Sequence, residues 1–260
     1  MKFKFITALI CCLATAAFSQ VAKTDSVKKT KSKSFSIKIS HKDTVSVDTI
    51  KPVSRFSVQL TLSRIDLGLS TLTDNGSFTL SPANQVLESS IWKSNNFGFE
   101  FFQMGYRFNH YFKVYLGTGI DWTHFRLKKD VTIQPDQPKF IANTETISFD
   151  KNRFSSTYLR VPLSLQFRTK DDVKGKKIYF VVGPEIGLLI NGKVKQISNE
   201  KGKQKVKDDF NLNPVRYGAS ARFGYGDFGI YTKYYANDFF ADNQGPKNLK
   251  NIAFGVMLGF

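Results

Sequence analysis

Cysteine is almost missing from this 260-residue chain: Cys11 and Cys12 are the only two, side by side near the start. Neither suits lipid attachment, because Leu9 and Ile10 precede Cys11 where that modification needs small residues. Beyond position 12 no thiol remains, so disulfides and thiolate metal sites are excluded there. Histidine is nearly as scarce, with His41, His110 and His124 far apart, which excludes a histidine-built metal centre at useful spacing. Acid is short: 21 Asp and Glu face 38 Lys and Arg, for a net charge of +17. No uncharged run is long enough for a membrane-spanning helix, which needs about 20 apolar residues.

What is present divides the chain in three. "MKFKFITALICCLATAAFSQ" has basic Lys2 and Lys4, an apolar stretch from Phe5 to Ala16, and small Ala17 and Ser19. That is the pattern of a secretory signal, with residues 1–19 removed on export. Residues 20–54 are rich in Lys, Ser and Thr and poor in large apolar side chains, so they read as a disordered basic periplasmic tether. From position 55 to 260 the texture is apolar and glycine-rich.

Eight segments in that region alternate with period two, the mark of β-strands. They run Arg55–Leu69, Phe97–Phe108, Phe112–Leu127, Arg153–Arg168, Lys177–Ile190, Pro214–Tyr225, Asp227–Ala236 and Asn251–Phe260. In the fourth, Leu159, Val161, Leu163, Leu165 and Phe167 oppose Arg160, Pro162, Ser164 and Gln166. The polar faces hold too many small residues and too few lysines for a wetted surface. Apolar-out, polar-in strands of this length are those of a transmembrane barrel. The phase slips after Leu62 and at Phe101–Phe102, which predicts one bulge in each of the first two strands.

Connections alternate long and short. "NHY", "TKDDVKGK" and "GYGD" are the short ones, and "KVKQISNEKGKQKVKDD" reads as part of a long loop. Outer-membrane barrels have short periplasmic turns and longer outer loops. The fold expected is therefore all-β: an eight-stranded antiparallel transmembrane β-barrel of outer-membrane type, with both termini periplasmic. Phe56, Phe108, Phe112, Phe167, Phe180, Tyr225, Phe228 and Phe260 fall at one end of the strands. Phe97, Trp122, Phe154, Tyr217 and Tyr234 fall at the other, as two interfacial aromatic belts. "SFTLS" and "FIANTETISF" are candidates for extending the strands above the membrane.

The region from about Arg55 to Phe260 resembles the PorT-like small outer-membrane β-barrels. "YLRVPLSLQF" is similar to that family's fourth-strand motif and "VVGPEIGLLI" to its next strand, while Phe260 resembles the C-terminal signal read by the barrel-assembly machinery. The resemblance implies a membrane barrel, partnership with that machinery and a link to protein secretion or gliding. It brings no catalytic residue.

Arg64, Asp66, Glu100, Arg107, Asp121, Arg160, Glu185, Arg216, Arg222 and Lys233 point inward in this register. An eight-strand interior has room for side chains only, so they read as a paired network rather than a selective pore. Glu185 with a neighbouring arginine is the expected buried pair. Catalysis finds no site: in "HFR" no serine stands two residues after His124, where outer-membrane lipid A deacylases carry their nucleophile. No cofactor, metal or nucleic acid is expected. Outer-membrane lipid and lipopolysaccharide are the nearer anionic partners. The leading reading is a non-enzymatic accessory of a secretion or gliding machine. The alternative is a surface binding or adhesion module using the long outer loops, or a small pore.

Overall fold

The structure, a computed structural model, describes residues 55–173 and 175–259. The expected signal, the tether and Phe260 lie outside the described residues. Among the described residues eleven strands form: β1 (Phe56–Asp74), β2 (Asn95–Arg107), β3 (Phe112–Arg126), β4 (Val131–Ile133), β5 (Ala142–Thr144), β6 (Lys151–Arg168), β7 (Ile178–Ser198), β8 (Gly202–Asp208), β9 (Val215–Tyr225), β10 (Phe228–Tyr235) and β11 (Leu249–Gly259).

Nine strands share one antiparallel sheet, and its ladder returns on itself. The order β6-β3-β2-β1-β11-β10-β9-β7-β8 is joined by a further β6–β7 pairing. The seam between first and last strands runs from Arg64 opposite Gly259 to Asp74 opposite Leu249. Gly68 faces Gly255 there, and a Cβ on Gly68 would stand 2.2 Å from the Phe254 carbonyl oxygen. The close approach of these strands requires glycine. Closure satisfies backbone groups that an open edge would leave unpaired in lipid. Ladder shifts between Leu60 and Arg64 and between Glu100 and Phe102 put both expected bulges in place. A third, where Tyr158 meets Leu189 and Thr157 meets Asn191, gave no sign in the sequence.

Large apolar side chains point outward: Leu60, Leu67, Leu163, Phe180, Ile186, Phe223, Ile230 and Phe254 are all exposed. Such a wall is stable only against lipid. Phe180–Ile190 has the length of a tilted spanning strand, about 9–11 residues.

Above that band the pattern inverts while the strand geometry continues. On β6, Arg160 is inside at one level, whereas Phe154 is inside and Arg153 outside at the next. On β7, Glu185 gives way to Val194 within and to Lys193 and Lys195 without. There the wall stands in water and buries carbon inward, as soluble proteins do. Phe154, expected in the outer aromatic belt, is fully buried in this upper core. It shares the inward parity of Arg160. Its ring meets those of Phe210, Phe239 and Phe240, and Phe125, Val131, Ile133 and Leu212 belong to the same core.

Two loop expectations change. "KVKQISNEKGKQKVKDD" is largely β-structure: β7 runs on to Ser198 and turns into β8, which pairs with it from Gly192–Asp208 to Ser198–Gly202. Val194, Gln196 and Ser198 are buried on one face while Lys193, Lys195 and Ile197 take the other, an alternation that the charge disguises. "SFTLS" forms no strand, and "FIANTETISF" supplies only β5, paired with β4 apart from the main sheet.

Candidate functional site

The interior below the apolar core is a charged layer. Asp66, wholly buried, receives Arg64 Nε at 2.9 Å, Lys233 Nζ at 3.0 Å and Arg160 Nη2 at 3.1 Å. Glu100 receives Arg64 Nη2 at 2.8 Å and lies 3.7 Å from Arg160. Asp121 binds Lys233 at 2.7 Å and Arg216 at 2.6 Å. Glu185 lies 3.5 Å from Arg160 Nη1 and accepts from the Tyr235 hydroxyl at 2.6 Å. The Arg216 guanidinium lies 3.9 Å from the ring centres of both Tyr158 and Tyr235. Gly117 leaves the space that Glu100 fills: a Cβ there would stand 2.7 Å from the Glu100 carboxyl carbon.

Nine of the ten residues read as inward are thus buried in one layer. Arg107 is the exception, half-buried where the ring opens beside the short turns. Asn96 and Tyr231 also belong to the layer. Asn96 donates to Asp121 at 3.1 Å, and Tyr231 donates to Asn96 at 2.9 Å. Inward parity was the only sequence signal for them. Side chains of this size, with the apolar core above them, fill the ring rather than line a channel.

The upper wall carries a second constellation, on the outside. Arg126 stands opposite Arg153, Arg153 opposite Lys195, and Lys195 opposite Lys205. The flanking rows add Lys193 with Lys207, and Lys151 and Lys203 on either side of Ile197. Directly opposed residues in a ladder share a face, and like charges so placed repel. The Lys195 ammonium is held below its ordinary value by partial burial, then by Lys151, Lys203, Lys205 and Arg153. Among the described residues, none of these lysines and neither arginine pairs with a carboxylate; the Arg126 guanidinium donates to the Asp150 carbonyl.

An open cavity of about 700 Å³ leads down from this face, with Leu67, Phe97 and Trp122 below and Arg153 and Lys193 above. Its geometry suits an amphiphile with an anionic head. His124 lines it, with Nδ1 2.8 Å from Ser155 Oγ on the neighbouring strand. The pair cannot be seen two positions along one strand, since His124 and Ser155 meet only across the ladder. Ser155 is buried, and the charges that act on the imidazole are those of Arg153, Lys193 and Lys151; among the described residues no carboxylate bonds to it as a triad requires.

Above, the loop between β1 and β2 is tied to Asp74, which accepts from the Ser81 hydroxyl at 2.6 Å, the Ser81 amide at 2.8 Å and the Asn84 side chain at 2.8 Å. Those bonds hold the Asp74 carboxyl below its ordinary value. Among the described residues, no three His, Cys, Asp or Glu side chains group to hold a metal.

A search of curated proteins finds no match. Among solved structures, the chain is similar to Ail, the attachment invasion locus protein of Yersinia pestis, determined in complex with the heparin analogue sucrose octasulfate. The two are 16% identical, the alignment covers 78% of this chain and 96% of that one, and the TM-score is 0.33. Residues 52–260 match the family described as outer membrane protein beta-barrel domain, and the match does not extend to the narrower PorT-like assignment. With its ladder closed on itself and its apolar side chains turned outward, the chain belongs to the outer-membrane β-barrel domain family.

Proposed function

We propose that this protein is a non-enzymatic surface binding module that holds polyanionic glycolipid, with lipopolysaccharide as its ligand. The observation that carries the reading is the unpaired basic face of β6, β7 and β8, directly above the apolar band. On β7, Ile190 is an exposed outward apolar residue and Lys193 follows three positions on, about 10 Å along a strand. The lysines therefore lie at the level of outer-leaflet headgroups, where phosphates offset the repulsion among them. The cavity over Phe97 and Trp122 takes the acyl side of the same ligand.

In this reading β1, β2, β3, β6, β7, β9, β10 and β11 are the eight spanning strands. The short turns and both termini face the periplasm, residues 1–19 are the signal and 20–54 the tether. The filled interior disfavours the pore. A secretion accessory draws on the motif resemblance alone.

Titration of purified protein with lipopolysaccharide at low and high salt tests it. Binding should weaken steeply with salt. Lys193→Gln, Lys195→Gln, Lys205→Gln and Lys207→Gln together should lower affinity by roughly ten- to a hundredfold, at about 1 kcal/mol or less per surface charge. Salt-insensitive binding, or a quadruple variant that binds like the parent, ends the proposal.

A further inference from the structure

Below the ion-paired layer, beside the short turns, the ring opens into a cavity of about 240 Å³. Arg64, Arg107, Lys113, Arg168 and Arg222 line it, against Glu100 and a rim carboxylate, Asp227. Glu100 is already engaged by Arg64 at 2.8 Å.

Arg222 is the unusual member. It is 2% exposed, yet among the described residues no carboxylate lies within ion-pair distance of it. Its partners are neutral: Nη1 donates to the Tyr115 hydroxyl at 3.2 Å and Nη2 weakly to the Ser220 hydroxyl at 3.4 Å. Among the described residues Nε has no hydrogen-bond partner. Lys113 and Arg168 are in the same condition nearer the opening, donating to the Gln103 side-chain oxygen at 3.0 Å and the His110 carbonyl at 2.8 Å. In the layer itself five cations (Arg64, Arg160, Arg216, Arg222, Lys233) face four carboxylates (Asp66, Glu100, Asp121, Glu185). One positive charge is uncompensated, and Arg222 carries it into the cavity.

A buried guanidinium is costly without a counter-charge. Its planar fork favours a multi-oxygen anion over a halide. We propose that this cavity binds a compact phosphate-class oxyanion, held by Arg222 with Lys113, Arg107 and Arg168. The site opens at the end of the ring opposite the basic outer wall and does not depend on the glycolipid reading.

The probe is inorganic pyrophosphate, added to the detergent-folded full chain at ionic strength fixed with sodium chloride. Heat-modifiable gel mobility and calorimetric titration are the readouts. Pyrophosphate should raise the unfolding midpoint of the parent above that in equimolar-charge chloride. Arg222→Met should lower its affinity by about tenfold or more, the loss of a charge-assisted fork. Apolar replacement of an unpaired buried charge is tolerated, so this variant should fold. Should its yield fall, Lys113→Gln with Arg107→Gln reports on the same cavity from its exposed side and should weaken binding severalfold. The quadruple lysine variant of the outer wall should respond like the parent.

No stabilisation beyond chloride overturns the proposal, as does an undiminished response in Arg222→Met and in the mouth double variant. So does a response lost in the wall variant, which places the anion outside. An acidic peptide that binds where pyrophosphate does not would also overturn it, assigning the cavity to a protein carboxylate.

Discussion

Asp66 is where the charged interior can be tested most sharply. Its carboxylate is fully buried and receives Arg64, Lys233 and Arg160 at 2.9, 3.0 and 3.1 Å. Asp66→Asn keeps the shape and removes the charge, leaving five cations against three carboxylates. Breaking one side of a buried ion pair costs about 3–5 kcal/mol, roughly two to four powers of ten in the folding equilibrium. The exposed Lys177–Asp171 pair, 3.3 Å apart, is the control, and Asp171→Asn should cost about 1 kcal/mol or less. Urea titration in micelles, read by the shift in unheated gel mobility, measures both. Adding Lys233→Met to Asp66→Asn restores the original excess of one positive charge, since Asp121 keeps Arg216 at 2.6 Å. The double variant should be more stable than the sum of the single losses. An Asp66→Asn protein within about 1 kcal/mol of the parent, or a double variant at or below that sum, would refute the charge balance.

Phe154→Ala should cost about 3–5 kcal/mol because the ring is fully buried in the upper core, whereas Phe167→Ala on the outer wall should cost far less; the same urea titration separates them. Asp74 makes the first long loop acid-sensitive. Its folded value is depressed below the ordinary 3.8, so its contribution is complete above that value and is lost as pH falls through the lower folded value. Limited proteolysis within residues 75–94 should therefore stay slow from neutral pH down to about 4 and rise in stronger acid. In Asp74→Asn it should already be raised at neutral pH, and the difference from the parent should close in strong acid.

The spanning strands were legible because alternation is local. Leu159 to Phe167 against Arg160 to Gln166 is visible without any partner, and the slips after Leu62 and at Phe101 show as a change of parity. Inward parity likewise picked out Arg64, Asp66 and Glu185. Who meets whom was not legible. Arg216 and Asp121 are 95 positions apart, and ring closure alone brings them together. The same holds for His124 and Ser155, which meet only because β3 and β6 pair. β8 was hidden because lysines occupy its outward positions and two of its partner's, and sheet propensity does not announce a strand made of charge.

By itself, then, the sequence determined which side of each spanning strand meets lipid, since period two and side-chain polarity leave one arrangement that hydrocarbon tolerates. Only the tertiary structure decided where that arrangement ends. A strand's geometry is the same in lipid and in water, so Phe154 and Arg160 share a parity although one lies in an apolar core and the other in an ion-paired layer. The level of the change is set by the ladder that aligns Arg126, Arg153, Lys195 and Lys205 into one basic row above the apolar wall.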